Sequence, residues 1–313
     1  MPRQNANTEQ IEGRIYQQNL QIRQVSNKES KNFGKDFING SIEVDTSEDE
    51  KKPNILTIHY TYVTSTTSKG QENRTFTTLK RIMDEDRSIV TVGRDKAWKV
   101  RCNPSIALND FYPQGRNDVV STPRNEGGFV TIVNELAPDG IDRKKFTADA
   151  LITHVNREDD DEEGIRATVK CAIFNFRNDI LPFTFTLRNE DAIQYFEDLN
   201  VSNQEPIFTK VWGEIDNRTE IIKEETESAF GQPAVDMKQR RIREWVITGA
   251  AREPYPFGEG GVLTPEEVQK AVENRNVMLA ETKKRSEDYY ASRNNTGSIG
   301  NTVNQIPKGG FDF

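Results

Sequence analysis

Residues 164–188 read Gly164-Ile-Arg-Ala-Thr-Val-Lys-Cys-Ala-Ile-Phe-Asn-Phe-Arg-Asn-Asp-Ile-Leu-Pro-Phe-Thr-Phe-Thr-Leu-Arg188. Side chains along a strand point alternately to its two faces, so the run separates into two sets. Ala167, Val169, Cys171 and Ile173 share a face that belongs in a core. Arg166, Thr168, Lys170, Phe174 and Phe176 share the other. Asn178-Asp179 turns the chain, after which Leu181, Phe183, Phe185 and Leu187 refill the core face, with Thr184, Thr186 and Arg188 opposite. The pattern predicts a half-buried hairpin that presents rings and cations outward. That is what a stacking platform for unpaired bases requires. A sheet covered on both sides would read the same way.

Working outward, the chain of 313 residues suits about two domains at roughly 150 residues each. Hydrophobic content is 34% and charged content 29%, with sixteen Phe and three Trp, which fits folded domains joined by long solvated loops. No uninterrupted apolar run approaches the ~18 residues of a membrane span. The first ten residues lack an apolar signal core. Cys102 and Cys171 fall in different halves, both on core-facing positions, which predicts a reduced, cytoplasmic protein. The net charge is −8, but residues 1–126 hold 19 basic and 17 acidic residues, so the deficit lies in the remainder. Contact with phosphates depends on local faces rather than on the total.

Residues 1–10 are polar and read as loose. Strands are predicted at residues 11–25 (bent near Gln17), at 36–44, and at 55–63, where Leu56, Ile58, Tyr60 and Tyr62 alternate inward against Thr57, His59 and Thr61. Phe76, Leu79, Ile82 and Met83 recur at helical spacing over 75–84. Further strands are expected at 89–92, 97–102 and 128–136, with 103–127, holding several Pro, Gly and Asn, as an irregular excursion. The second half repeats the order. It has a strand at 146–156, the hairpin described above, a short helix at 189–199, a strand at 206–215, a polar excursion at 216–239 and a closing strand at 241–250.

Strand, strand, strand, helix, strand, strand is the order of a five-stranded Greek-key barrel with one helix between its third and fourth strands. The chain resembles, in this order and in its face patterns, tandem-barrel single-stranded DNA-binding proteins of phage replication modules, built on the oligonucleotide/oligosaccharide-binding (OB) fold. The resemblance implies a mainly β architecture with barrels at 11–136 and 141–251. It also implies a non-catalytic protein that coats single-stranded DNA, or RNA, and serves replication or recombination.

Thr264-Pro-Glu-Glu267 opens a C-terminal helix over 264–292 with a capping box. Its apolar stripe ends at Leu279, so the helix is expected to dock by its start and project its end. Residues 293–313 form an Asn/Gly/Ser-rich tail, read as flexible. Its end, Phe311-Asp312-Phe313, is similar to the acidic, Phe-ended tip by which bacterial single-stranded DNA-binding proteins engage partner enzymes, although Pro307 lies further back. The resemblance makes these three residues a partner-binding candidate.

The nucleic-acid candidates in the second half are Arg166, Lys170, Phe174, Phe176, Phe208, Lys210 and Trp212. Lys238, Arg240, Arg241 and Arg243 form a cluster where the last loop enters the last strand. The first half supplies Arg14, Tyr16, Lys35, Phe37, His59, Lys99 and Arg101, a set thinner in rings. The acidic run 158–163 lacks the spaced ligands and glycine of a calcium loop. Two histidines at unrelated positions make no metal or triad signature, and no Gly-rich phosphate loop follows a strand. No cofactor or metal is expected. Two other classes fit the composition. A β-rich virion component, in a tail or decorating a capsid, would use the aromatic faces as subunit contacts but has no use for a tether ending in Phe. A carbohydrate binder would not need Lys and Arg beside its rings.

Overall fold

The computed structural model describes residues 5–158, 164–226, 234–258 and 260–295. The tip Phe311, Asp312 and Phe313 lies outside them, as does most of the acidic run. The fold is mainly β, with ten strands among the described residues.

The first half holds β1 (Asn7–Gln24), β2 (Asp36–Asp45), β3 (Ile55–Thr64), α1 (Arg74–Glu85), α2 (Ile89–Val92), β4 (Lys99–Phe111) and β5 (Val120–Val133). β1 pairs antiparallel with both β2 and β4. β2 pairs with β3, β3 runs parallel to β5, and β5 returns antiparallel to β4, which closes a five-stranded barrel. The second half repeats the circuit with β6 (Lys144–Arg157), β7 (Ala167–Phe174), β8 (Ile180–Leu187), α3 (Glu190–Asp198), β9 (Ile207–Thr226) and β10 (Ala234–Ala250). Here β6 pairs with β7 and β9, β7 with β8, β8 parallel with β10, and β10 with β9. Both circuits have the OB order, including the parallel pairing of third and fifth strands. α4 (Pro265–Asn295) follows.

The alternation that placed Ala167, Val169, Cys171 and Ile173 against Leu181, Phe183, Phe185 and Leu187 holds: all eight are buried in one cluster. That cluster runs on into Ile11, Ile15, Val100 and Cys102 of the first barrel. Continuity comes from β1, whose residues Asn7–Ile11 pair with β6 before the strand enters its own barrel. The stretch read as loose therefore includes the joint between barrels, and Asn7 and Glu9 are buried there. Trp245 Nε1 donates to Glu9 Oε1 at 2.8 Å across this joint.

Four local expectations change. Residues 89–92 form the short helix α2. Residues 103–127 and 216–239, read as excursions, are mostly the arms of two long hairpins, β4–β5 and β9–β10. The outer parts of β4 and β5 are rich in polar residues because they extend beyond the barrel and have little core to face. Tyr62 points outward, because the register shifts between Ile38 and Gly40 and the bulge reverses the alternation of β3. Gly40 permits this at φ 130°, where an added Cβ would lie 1.9 Å from Asn19 O. Lastly, the distal half of α4 lies along the β4–β5 hairpin instead of projecting. Arg275 holds Asp110 at 2.9 and 3.2 Å, and Lys283 reaches Asn117 at 3.3 Å. The capping box forms as expected, Thr264 N to Glu267 Oε2 at 3.0 Å and Glu267 N to Thr264 Oγ1 at 3.3 Å.

Candidate nucleic-acid interface

In an OB barrel the ligand face is the outer surface of the second and third strands, flanked by the loop after strand one and the loop before strand five. On the first barrel this is the β2–β3 face. Phe37 and Tyr62 meet there with ring centroids 4.8 Å apart and planes tilted 43°. Arg23 stands opposite Phe37 on β1, and Tyr62 is 47% exposed. The loop between β1 and β2 is closed by Val25 N to Lys35 O and Gly34 N to Val25 O, both 3.0 Å, and carries Phe33 with its ring exposed. Lys35 Nζ leans on Asn32 Oδ1 at 3.2 Å, within reach of the same edge.

Toward the centre of that face, Ser41 and His59 are paired across β2 and β3, and Glu126 of β5 lies beside His59. Thr61 Oγ1 donates to Glu126 Oε1 at 2.5 Å, and Arg124 caps Glu126 Oε2 from Nη2 at 2.8 Å. Burial lowers the pKa of His59, and the charges of Arg124 and Arg243 lower it further. The imidazole is therefore neutral at pH 7 and offers one donor, one acceptor and a ring face. Arg243 comes from the second barrel. The root of its β9–β10 hairpin is tied to β3 by Asn54 Nδ2 to Ile215 O at 3.0 Å and by Asn217 N to Asn54 Oδ1 at 2.9 Å. The cleft of the first barrel thus has a cation of the second on its border.

The second barrel differs from its reading. Phe174 and Phe208, taken as outward stacking rings, are 1% and 0% exposed. They meet edge to face at 6.1 Å in a separate cluster with Leu151, Ile180, Leu263 and Ala271. The connector and first turns of α4 cover them, with the Tyr255 ring on Phe208 at 5.6 Å. Phe176 remains 72% exposed in the turn after β7, with Arg177 over its ring at 5.1 Å. Lys170 is exposed on β7 opposite His154 and Thr184. Arg166 is engaged with Glu244, and Arg188 binds Glu244 and Asp216, the latter at 2.9 Å. These ions brace the β9–β10 root.

Trp212 and Lys210 lie on β9, which pairs with β6 and β10, so they occupy a different face from Lys170. Trp212 rests on Gly249, where a Cβ would come within 2.4 Å of its Nε1, and the outer side of the ring stays exposed. Arg241 is exposed on β10 and Arg240 is half-buried with partners. Lys238 lies on the same strand, and its side chain is outside the described ones.

In the first barrel, Phe37, His59 and Lys35 belong to one face, whereas Lys99 and Arg101 lie on β4, separated from β2 by β1. Arg101 Nε binds the buried Glu12 at 2.6 Å, a bond that raises the Arg101 pKa further, and Lys99 Nζ donates to Asn134 O. Arg14 pairs with Glu48 at 2.8 Å. Sequence reasoning missed Tyr62, Phe33, Arg23 and Arg124. An aromatic flanked by polar residues in the loop before β2 was the available signal for Phe33; Tyr62 needed the bulge.

The fold and its first-barrel face define a tandem OB-type protein with an aromatic cleft on the first barrel. The chain belongs to the YorF family, whose profile matches residues 6–285. None of the curated proteins compared matches it in sequence. Among solved structures it is similar to the wild-type single-stranded DNA binding protein from Thermus aquaticus, at TM-score 0.45 and 10% identity, covering 82% of this chain and 99% of that one. A deletion mutant of the same protein gives TM-score 0.45 at 9% identity, covering 80% and 95%. Among the described residues no helix is long and apolar enough to cross a membrane.

Proposed function

We propose that this chain is a non-catalytic single-stranded DNA-binding protein whose principal site is the β2–β3 cleft of the first barrel. Bases stack on Phe37 and Tyr62, with Phe33 at the loop edge, while Arg23, Lys35 and Arg243 meet the phosphates. The observation that carries this reading is the Phe37–Tyr62 pair, an exposed Tyr62 ring in contact with a half-buried Phe37 on the ligand face of an OB barrel. Exposed rings grouped in this way are uncommon without a partner. Trp212 with Lys210, and Phe176 with Arg177, serve as outlying contacts on the second barrel, whose own β7–β8 face shows no open ring among the described residues. The segment ending Phe311-Asp312-Phe313 recruits replication or recombination enzymes; its sequence, two rings around an acid, supports this.

The test is titration of labelled oligo-dT into the full chain at low and high salt. Wild type should bind, with affinity falling steeply as salt rises. Replacing both Phe37 and Tyr62 by Ala should weaken binding by roughly tenfold or more, since stacking contributes about 1–3 kcal/mol per base. No binding at low salt, or binding indifferent to the double substitution in a folded protein, would refute the assignment.

A further inference from the structure

The centre of the first-barrel cleft holds a carboxylate, the wrong charge for meeting phosphates. Glu126 of β5 stands beside His59 of β3, and Ser41 of β2 is paired with His59 on its other side. Ile58 and Tyr60, the neighbours of His59, are buried, which turns His59 and Thr61 to the outer face. Glu126 is braced there. Thr61 Oγ1 donates to its Oε1 at 2.5 Å, while Arg124 donates to its Oε2 from Nε at 3.1 Å and from Nη2 at 2.8 Å. Arg124 Nη1 donates in turn to Asn109 Oδ1 at 3.3 Å. A carboxylate has about four lone-pair sites, and these bonds leave one of them on Oε1. The Glu126 side chain stays 28% exposed. The Ser41 hydroxyl and the His59 imidazole make no hydrogen bond among the described residues.

We infer that this centre reads a base edge, with Glu126 and His59 selecting a base whose exocyclic amine adjoins a ring-nitrogen acceptor, cytosine or adenine, over thymine. The inference rests on the single-strand reading of the first-barrel cleft and names what that cleft prefers. The remaining lone pair of Glu126 Oε1 accepts from the amine, as carboxylates accept from cytosine N4 in nucleic-acid recognition. The imidazole N–H of His59, on the neighbouring strand, donates to the ring nitrogen. Thymine offers the reverse order. Its carbonyl oxygen would face the carboxylate, and its ring N–H would face the imidazole N–H. Stacking on Phe37 and Tyr62 cannot make this distinction, because every base has a ring face. The layout also divides the labour between positioning and reading. Arg23, Lys35 and Arg243 border the cleft, where a backbone passes, while Arg124 is committed to fixing the acceptor at its centre.

Base dependence tests this. Anisotropy of labelled oligo-dC and oligo-dT, each of about 15 nucleotides, is measured on the full chain at neutral pH, a length within the site sizes of one OB barrel. Wild type should bind oligo-dC roughly tenfold more tightly than oligo-dT, the discrimination expected of one good base-edge contact. Glu126→Gln should bring the ratio close to one, chiefly by improving oligo-dT, because the amide can turn an N–H toward the thymine carbonyl. His59→Ala should lower the ratio by about threefold or more. The ratio is the readout because removing a negative charge from the cleft tightens binding to any strand. A carboxylate that served only to brace Arg124 would therefore shift both affinities alike. Should Glu126→Gln fail to fold, His59→Ala, which breaks no hydrogen bond among the described residues, decides the question. Equal wild-type affinities, a preference for oligo-dT, or a ratio unmoved in the folded variants would overturn the base reading and leave the stacking cleft standing. Failure of wild type to bind either oligonucleotide would remove the cleft reading and this one with it.

Discussion

Glu9→Gln should stabilise this protein above neutral pH and flatten its stability profile. Glu9 lies on β1 at the joint between barrels, its carboxyl fully buried. Oε1 accepts the Trp245 indole N–H, and Oε2 has no partner among the described residues. Burial pushes its pKa from 4.5 up to about 8, against the opposing effects of the Trp245 bond and the Arg243 charge. Between those two values the folded state holds a proton that the unfolded state has released, so stability falls as pH rises. It is fully present below pH 4.5 and lost progressively as pH climbs through about 8. At 1.36 kcal/mol per unit the loss is about 5 kcal/mol across the window. Gln keeps the acceptor for Trp245 and cannot ionise, so the variant should lack this slope. At about 2 °C per kcal/mol for a chain of this size, the wild-type melting temperature should fall roughly 10 °C more than the variant's between pH 5 and pH 9. Thermal melts of both proteins over that range, followed by Trp emission, measure it. Parallel curves for the two would show that Glu9 does not titrate in the folded joint and would refute the reasoning.

Two predictions concern the scaffold of the cleft. Gly40→Ala puts a methyl group where Asn19 O lies 1.9 Å away, at φ 130°. It should cost about 3 kcal/mol or more in urea unfolding and disturb the Phe37–Tyr62 pair; unchanged stability would show that the bulge is not required. Arg275→Ala strands Asp110 beneath α4, where both side chains are mostly covered, 11% and 17% exposed. It should destabilise by about 2 kcal/mol and speed amide exchange over the distal half of the helix, and unaltered exchange there would mean other contacts seat it.

Strand order and inward positions were legible because they are local. Alternation over Ala167, Val169, Cys171 and Ile173 needs only the pleat of one strand, and Thr264 with Glu267 needs only one helical turn. The closed circuits follow from the order of elements once each strand's buried face is known. Phe37, Lys35 and His59 were read as outward for the same reason, but in one set with Arg14, Tyr16, Lys99 and Arg101, which lie on β1 and β4. Alternation, however, says only that two residues face away from the core; what else covers them depends on distant segments. Phe174 and Phe208 point outward from their barrel just as Phe37 does, yet Leu263 and Ala271, dozens of residues further along, bury them. The bulge beside Gly40 turned Tyr62 outward, and the folding of α4 onto the β4–β5 hairpin placed Arg285 beside Arg124. Sequence by itself determined the order of the barrel strands and most of their inner faces. Only the tertiary structure decided which outer faces stay open, because a strand's pleat is set by neighbours in the chain and its covering by elements that arrive from elsewhere.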